Sequence, residues 1–135
     1  MIRYLLDTNI VSYFVKGVSH DLTARTARGF EEQNIAISVV TRAELRFGVE
    51  MMDAKDKRRA RIALLLDDVP SLPWTIEAAD LFGEIEAQLK RAGTPIGELD
   101  TQIAAHALAE GLVLVTHNTR HFDRIAGLKL EDWMV

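Results

Sequence analysis

Short apolar runs alternate along this chain with stretches whose apolar residues recur at helical spacing. Ile2 to Leu6 is one such run, and it ends on the polar triplet Asp7-Thr8-Asn9. Ile10, Val11, Phe14 and Val15 then recur at i, i+1, i+4 and i+5, which predicts a short amphipathic helix closed by Gly17. Asp21 to Glu32 predicts a second helix of weaker pattern, and Ile35 to Val40 a second strand. Thr41 to Met52 predicts a helix carrying Glu44, Leu45 and Val49. A basic segment from Asp53 to Arg61 turns apolar at Ile62 to Leu66 and stops before Pro70; Leu72-Pro73-Trp74 is a brief extended piece. Thr75 caps a long helix in which Ile76, Ala79, Phe82, Ile85 and Leu89 form one stripe. Ala92 to Gly97 is the clearest loop.

The most informative stretch runs from Gly97 to Asn118. Leu99, Ile103, Ala107 and Leu108 predict a helix that opens on Asp100 and stops at Gly111. Leu112 to Thr116 has the unbroken apolar character of a strand buried on both faces of a parallel sheet, and Thr116-His117-Asn118 ends it. Phe122 and Ile125 predict one more helical turn, and Leu128 to Trp133 a terminal strand. Strands alternating with helices predict an α/β fold: one domain over residues 1–135, an α/β/α sandwich around a mostly parallel sheet of four to five strands. The pattern contains no repeat, linker or low-complexity segment.

Polar groups recur where this fold binds ligands, at the carboxyl ends of parallel strands. Asp7 and Asn118 follow apolar strands closely, Glu44 lies just past one, and Asp100 opens the helix feeding another. Each has a local explanation. Asp7 suits a helix cap, worth on the order of 1 kcal/mol. Thr41-Arg42-Ala43-Glu44 matches a capping box. Asp100 in a first turn meets the helix dipole favourably. Capping does not require the acids to share an edge, however, and crowded carboxylates resist ionisation unless a cation sits among them. Oxygen donors without thiolates suit a hard ion, Mg²⁺ or Mn²⁺.

Composition narrows the classes. A chain of 135 residues, 48% apolar and 27% charged, is an ordinary globular domain. No apolar run nears the roughly 20 residues of a membrane span, so no membrane association is expected. The absence of cysteine excludes disulfides and thiolate metal sites and suits a reducing cytoplasm. A net charge of -4 argues against indiscriminate nucleic-acid binding, yet it is compatible with an acidic nuclease centre beside a local basic patch.

Four ordered segments carry a family resemblance: Leu5 to Asn9, Ser38 to Gly48, Gly93 to His106, and Leu114 to Phe122. Together they resemble the PIN-domain ribonucleases, and more narrowly the VapC toxins of bacterial toxin–antitoxin pairs. The resemblance implies a single PIN domain and Mg²⁺-dependent cleavage of structured RNA, with tRNA, the initiator tRNA anticodon loop included, as substrate. It places Asp7, Glu44 and Asp100 on the family's acidic triad, with Asp7 and Asp100 as metal ligands and Glu44 as a ligand or positioner of the attacking water. A fourth position, often Asp in the family, is Asn118 here, and an acid frequent before the Phe is His121. Thr116 and Asn118 would support the scissile phosphate, and Thr8 and Asn9 would hold the loop. The expected partners are RNA, a VapB-like antitoxin and a second copy of the chain, with DNA met only through the antitoxin complex.

Other residues divide between structural and functional readings. Lys55, Lys57, Arg58, Arg59 and Arg61 are either a solvated helix face or a phosphate track, with Lys57, Arg58 and Arg61 its strongest candidates. His106, among alanines, reads as a core residue; His117 and His121 read as surface-loop residues. Two other functions compete. One is a haloacid-dehalogenase-like phosphatase, disfavoured because Asn9 stands where that chemistry needs a second acid. The other is a PIN-like protein that binds RNA or a partner without cutting.

Overall fold

A computed structural model describes all of residues 1–135. Twelve elements follow one another: β1 (Tyr4–Leu6), α1 (Thr8–Lys16), α2 (His20–Glu32), β2 (Ile35–Ser38), α3 (Val39–Met51), α4 (Lys57–Asp68), β3 (Ser71–Leu72), α5 (Ile76–Arg91), α6 (Glu98–Glu110), β4 (Val113–Val115), α7 (Thr119–Phe122) and β5 (Leu130–Glu131). The strands form one sheet in the order β3-β2-β1-β4-β5. Every pairing is parallel.

Period-two alternation sends the strand residues to two cores. Leu6, Ile35, Ile37 and Val115 face a layer containing Ile10, Val11, Leu22, Leu45, Val49, Ile62 and Leu66, from α1 to α4. Leu5, Ala36 and Leu114 face Ile85, Leu89, Ile103, Ala104 and Ala107 of α5 and α6. The α/β/α sandwich expected from the alternation is therefore the observed one, with five strands. Each fully buried Leu or Ile contributes about 1.5–3 kcal/mol, and both faces of the sheet are closed this way.

Register decides what meets at the strand exits. Leu6 lies opposite Val115, and Val115 opposite Glu131. The next residues out are then neighbours: Asp7 donates its N–H to Val115 O (3.1 Å), and Thr116 donates to Glu131 O (3.0 Å). Asp7, Thr116 and Asp132 thus leave three adjacent strands at one edge.

Three local expectations change. The α3 cap is Ser38, whose Oγ accepts from the Val40 N–H at 3.0 Å, so Thr41 lies inside the helix and the Thr41–Glu44 capping box does not form. On α5, Ile76 is 81% exposed; the buried face is Ala78, Ile85 and Leu89. α6 starts at Glu98, placing Asp100 within its first turn.

One close approach is demanding. A Cβ on Gly29 in α2 would lie 2.5 Å from Ile35 Cγ2, inside a buried core. Gly83 in α5 faces open space. Thermal denaturation should show Gly29→Ala losing about 1–3 kcal/mol through overpacking. Gly83→Ala should instead gain up to about 1 kcal/mol from helix propensity.

Candidate active site

Asp7 is the centre of the strand-exit edge. It is 4% exposed and caps α1, its Oδ1 accepting from the Ile10 N–H at 2.7 Å. Burial raises its pKa from the ordinary 3.8 to about 6, helped by the nearby charges of Asp100 and Glu44; Thr116 and the Ile10 N–H oppose the rise by favouring the carboxylate.

The other two acids are held by neighbours. Glu44 sits in the second turn of α3, where Oε1 accepts from the Thr8 hydroxyl at 2.7 Å; that hydroxyl also lies 3.1 Å from Thr41 Oγ1. Asp100 presents Oδ2 to His121 Nε2 at 3.0 Å, and the same nitrogen is 2.9 Å from Ile96 O. Both neighbours of Nε2 are acceptors, so this nitrogen carries the proton. His121 is therefore a fixed donor beside Asp100 and not a free loop residue.

Behind the acids, His106 is fully buried, as expected of a core histidine. Its Nδ1 lies 2.7 Å from Ser38 Oγ, its ring edge meets Trp74, and burial pushes its pKa down. It ties α6, which carries Asp100, to the cap of α3, which carries Glu44.

Beside Asp7 the edge opens into a recess of about 230 Å³ lined by Asp7, Asn9, Tyr13, Thr116, His117 and Asn118. Thr116 Oγ1 accepts from the Asn118 N–H at 3.1 Å, so Thr116 supports Asp7 and the Asn118 loop. His117 is the exposed residue expected, and its ring is also held: Nδ1 lies 2.9 Å from Asp132 Oδ2. Sequence reasoning missed Asp132 and Tyr13. The signal for Tyr13 was its i+4 spacing from Asn9, which puts both on one face of α1. A larger recess of about 610 Å³, bounded by Gly29, Ile35 and Pro70, lies at the opposite ends of β2 and β3 and contains one acid, Asp68.

The basic residues are elsewhere. Arg58 is bound to its own cap Asp56 (2.7 Å), Arg59 donates to Val49 O and Met52 O, and Arg61 reaches Val15 O at 3.5 Å. Val15 lies in the last turn of the helix that Asp7 caps, so this face lies about one helix length, roughly 12 Å, from Asp7. Lys57 is exposed. None of the three candidates for a phosphate track lines the recess.

Asp7, Glu44 and Asp100 share the edge without converging into a closed three-ligand cluster. Separated carboxylates, one of them buried and resisting ionisation, fit a hard divalent ion that keeps several of its waters. On donor chemistry the residues fit such an ion.

The whole-chain comparison decides the family. Residues 4–128 match the PIN domain family. The chain is 36% identical over 133 residues to the tRNA(fMet)-specific endonuclease VapC of Shigella flexneri, covering 98% of this chain and 99% of that protein. It belongs to the PIN-domain VapC ribonucleases. Ribonuclease VapC2 of Haemophilus influenzae is 37% identical over 99% of this chain and 100% of its own length. Among solved structures, DNA-bound VapBC from Salmonella typhimurium superposes with a TM-score of 0.90 at 35% identity, covering 98% and 99% of the two chains. The promoter-DNA-bound VapBC2 of Rickettsia felis gives 0.87 at 33%, with the same coverages. These matches remove the phosphatase reading, and membership in the VapC ribonucleases makes this chain a nuclease. No helix is long and apolar enough to cross a membrane.

The raised pKa of Asp7 has a direct consequence for stability. Between about pH 4 and 6 the folded chain holds the Asp7 proton more tightly than the unfolded chain. Stability therefore falls as pH rises through that window, and the displacement corresponds to about 3 kcal/mol at neutral pH. Asp7→Asn keeps the capping oxygen and removes the charge. Denaturation of metal-free protein at about pH 4 and about pH 7 should show the variant gaining on the wild type at the higher pH. Equal pH dependence of the two would rule out burial of this carboxylate as the cause.

Proposed function

We propose that this chain is the toxin of a type II toxin–antitoxin pair, an Mg²⁺-dependent endoribonuclease, with Mn²⁺ as substitute, that cuts structured RNA and thereby stops translation. The observation that carries the reading is the buried Asp7 carboxylate, flanked by Glu44 and Asp100 at the exit edge of a parallel sheet. Family membership over nearly the whole chain supports it. The VapC relative named for tRNA(fMet) makes initiator tRNA the first substrate to test, with its anticodon loop as the proposed region of cleavage.

Asp7 and Asp100 would hold the ion, with Glu44 as a third ligand or as the group orienting the attacking water. When bound, the ion supplies positive charge that stabilises the transition state and lowers the pKa of a water it holds. The chain's own residues set the geometry around it. Ile10 N–H and Thr116 orient Asp7. The Thr8 hydroxyl engages Glu44 Oε1 and leaves Oε2 free to accept a hydrogen bond from water. His121 engages Asp100 Oδ2 and leaves Oδ1 for the ion. Asn118 presents an amide beside the recess, close enough to the edge to meet a phosphate or a base.

A VapB-like antitoxin fits the same edge. VapBC complexes are among the structural relatives, two of them bound to DNA. An acidic cleft suits an Arg delivered by a flexible segment, since a guanidinium pairs bidentately with carboxylates. DNA contact then belongs to the complex. A homodimer is the proposed state of the toxin alone. Phe47 and Met51 on α3, 69% and 73% exposed, give it apolar surface for a partner or a second copy.

Expression of the wild-type chain alone should arrest bacterial growth, and Asp7→Ala should not. Asp100→Asn should lower Mg²⁺-dependent cleavage of purified initiator tRNA by more than the roughly 100-fold typical of losing a mere supporting partner. Retained cleavage in Asp100→Asn would remove Asp100 from the machinery. RNA bound but left intact by soluble wild-type protein with Mg²⁺ would favour the non-cutting reading.

A further inference from the structure

The recess beside Asp7 has a composition that metal chemistry does not explain. Asn9 and Asn118 line it, and neither side-chain amide makes a hydrogen bond within the fold. Tyr13 and His117 supply two rings at right angles, centroids 6.2 Å apart, and the Tyr13 hydroxyl is likewise uncommitted. His117 is held from behind. Asp132 receives its Nδ1–H through Oδ2, and Asp132 Oδ1 accepts from the Met134 N–H at 2.9 Å. That arrangement fixes the ring and leaves Nε2 without a partner in the fold. The support is anchored in the core, since Trp133, between Asp132 and Met134, is buried and packs edge-on against Tyr4.

We propose that this recess is a nucleobase subsite, in which one unpaired base of the RNA is held next to the bond that is cut. The inference rests on the nuclease reading of Asp7 and names how that site chooses its substrate. Three features favour a base over a phosphate. No Lys or Arg lines the recess, and the one charged residue that does, Asp7, is an acid. Two neutral amides each offer a donor and an acceptor, the pairing that the edges of bases require. The rings offer a flat face to stack on, and their perpendicular arrangement lets a base lie on one while its edge meets the other. Tyr13 and His117 are the stacking residues, Asn9 and Asn118 the edge-reading residues, and Asp132 a positioning residue.

The test uses full-length protein carrying Asp100→Asn, so that RNA survives, with Mg²⁺ present. Fluorescence anisotropy measures binding of octanucleotides of uridine, cytidine or adenosine, and of an abasic ribose-phosphate octamer. At least one base series should bind about ten-fold more tightly than the abasic chain, as stacking of a single base allows. Adding His117→Ala should remove that preference while leaving abasic binding unchanged. Asn9→Ala, on an exposed side chain, should change which base is preferred. Equal affinity for abasic and base-containing chains, or an undiminished preference in both variants, would overturn the subsite. Cleavage of initiator tRNA by protein with an intact Asp100 separates the two readings. Equal binding of abasic and base-containing chains with cleavage intact refutes only the recess, whereas base preference without any cleavage refutes only the nuclease.

Discussion

The structure depends on keeping one carboxylate out of water. Asp7 sits where β1 leaves the sheet, and burial there opposes its charge more strongly than the Ile10 N–H and Thr116 can compensate. Two further acids nearby add repulsion. A carboxylate in that setting is a cost to the fold at neutral pH and a gain to anything positive that arrives. The scaffold therefore holds a destabilised edge that a bound cation would relieve, the pattern expected of a functional site and not of an optimised cap. The cap and the edge share one carboxylate: Oδ1 of Asp7 begins α1 and sets the direction of the remaining oxygen.

Around that carboxylate, positioning comes from short-range devices. Parallel register makes Asp7 and Thr116 neighbours without any side-chain contribution. Thr8 and His121 each hold one oxygen of a flanking acid. His106, neutral because buried, joins the helix of Asp100 to the cap of the helix of Glu44. None of these groups needs to touch substrate. Each removes rotational freedom from a group that is proposed to do so, and preorganisation of this kind is what electrostatic catalysis relies on.

The fold was legible because its strands are buried on both faces and read as plain apolar runs. The acids were legible because they follow those runs directly. Failures came where the pattern was too short or the surface too apolar. A two-residue β5 shows no period, so Asp132 was read as part of a strand and not as the support of His117. Ile76 looked like the start of a core stripe, yet it lies in the first turn of α5 and points to solvent. Thr41 and Glu44 matched a capping pattern, but Ser38 reached the helix start first and released Glu44 to Thr8. For the basic segment, charge alone left a solvated face and a phosphate track both open; its arginines are engaged by a cap and by helix-end carbonyls, which composition cannot reveal.

Strand order carries a consequence for how the chain is made. β1 is the central strand, and its partner β4 is translated last but one, with Tyr4 meeting Val113. At about 5–20 residues per second of synthesis, Asp7 waits several seconds for Thr116 and Asp100 to exist. Until then one side of β1 is open, and the acids have neither their neighbours nor their shared edge. A ribosome making this ribonuclease thus carries a nascent chain without the assembled acidic edge, although the first acid emerged at the outset. Wide sequence separation, usually regarded as a burden on folding rate, here delays assembly of the acidic edge until nearly the whole domain has been translated.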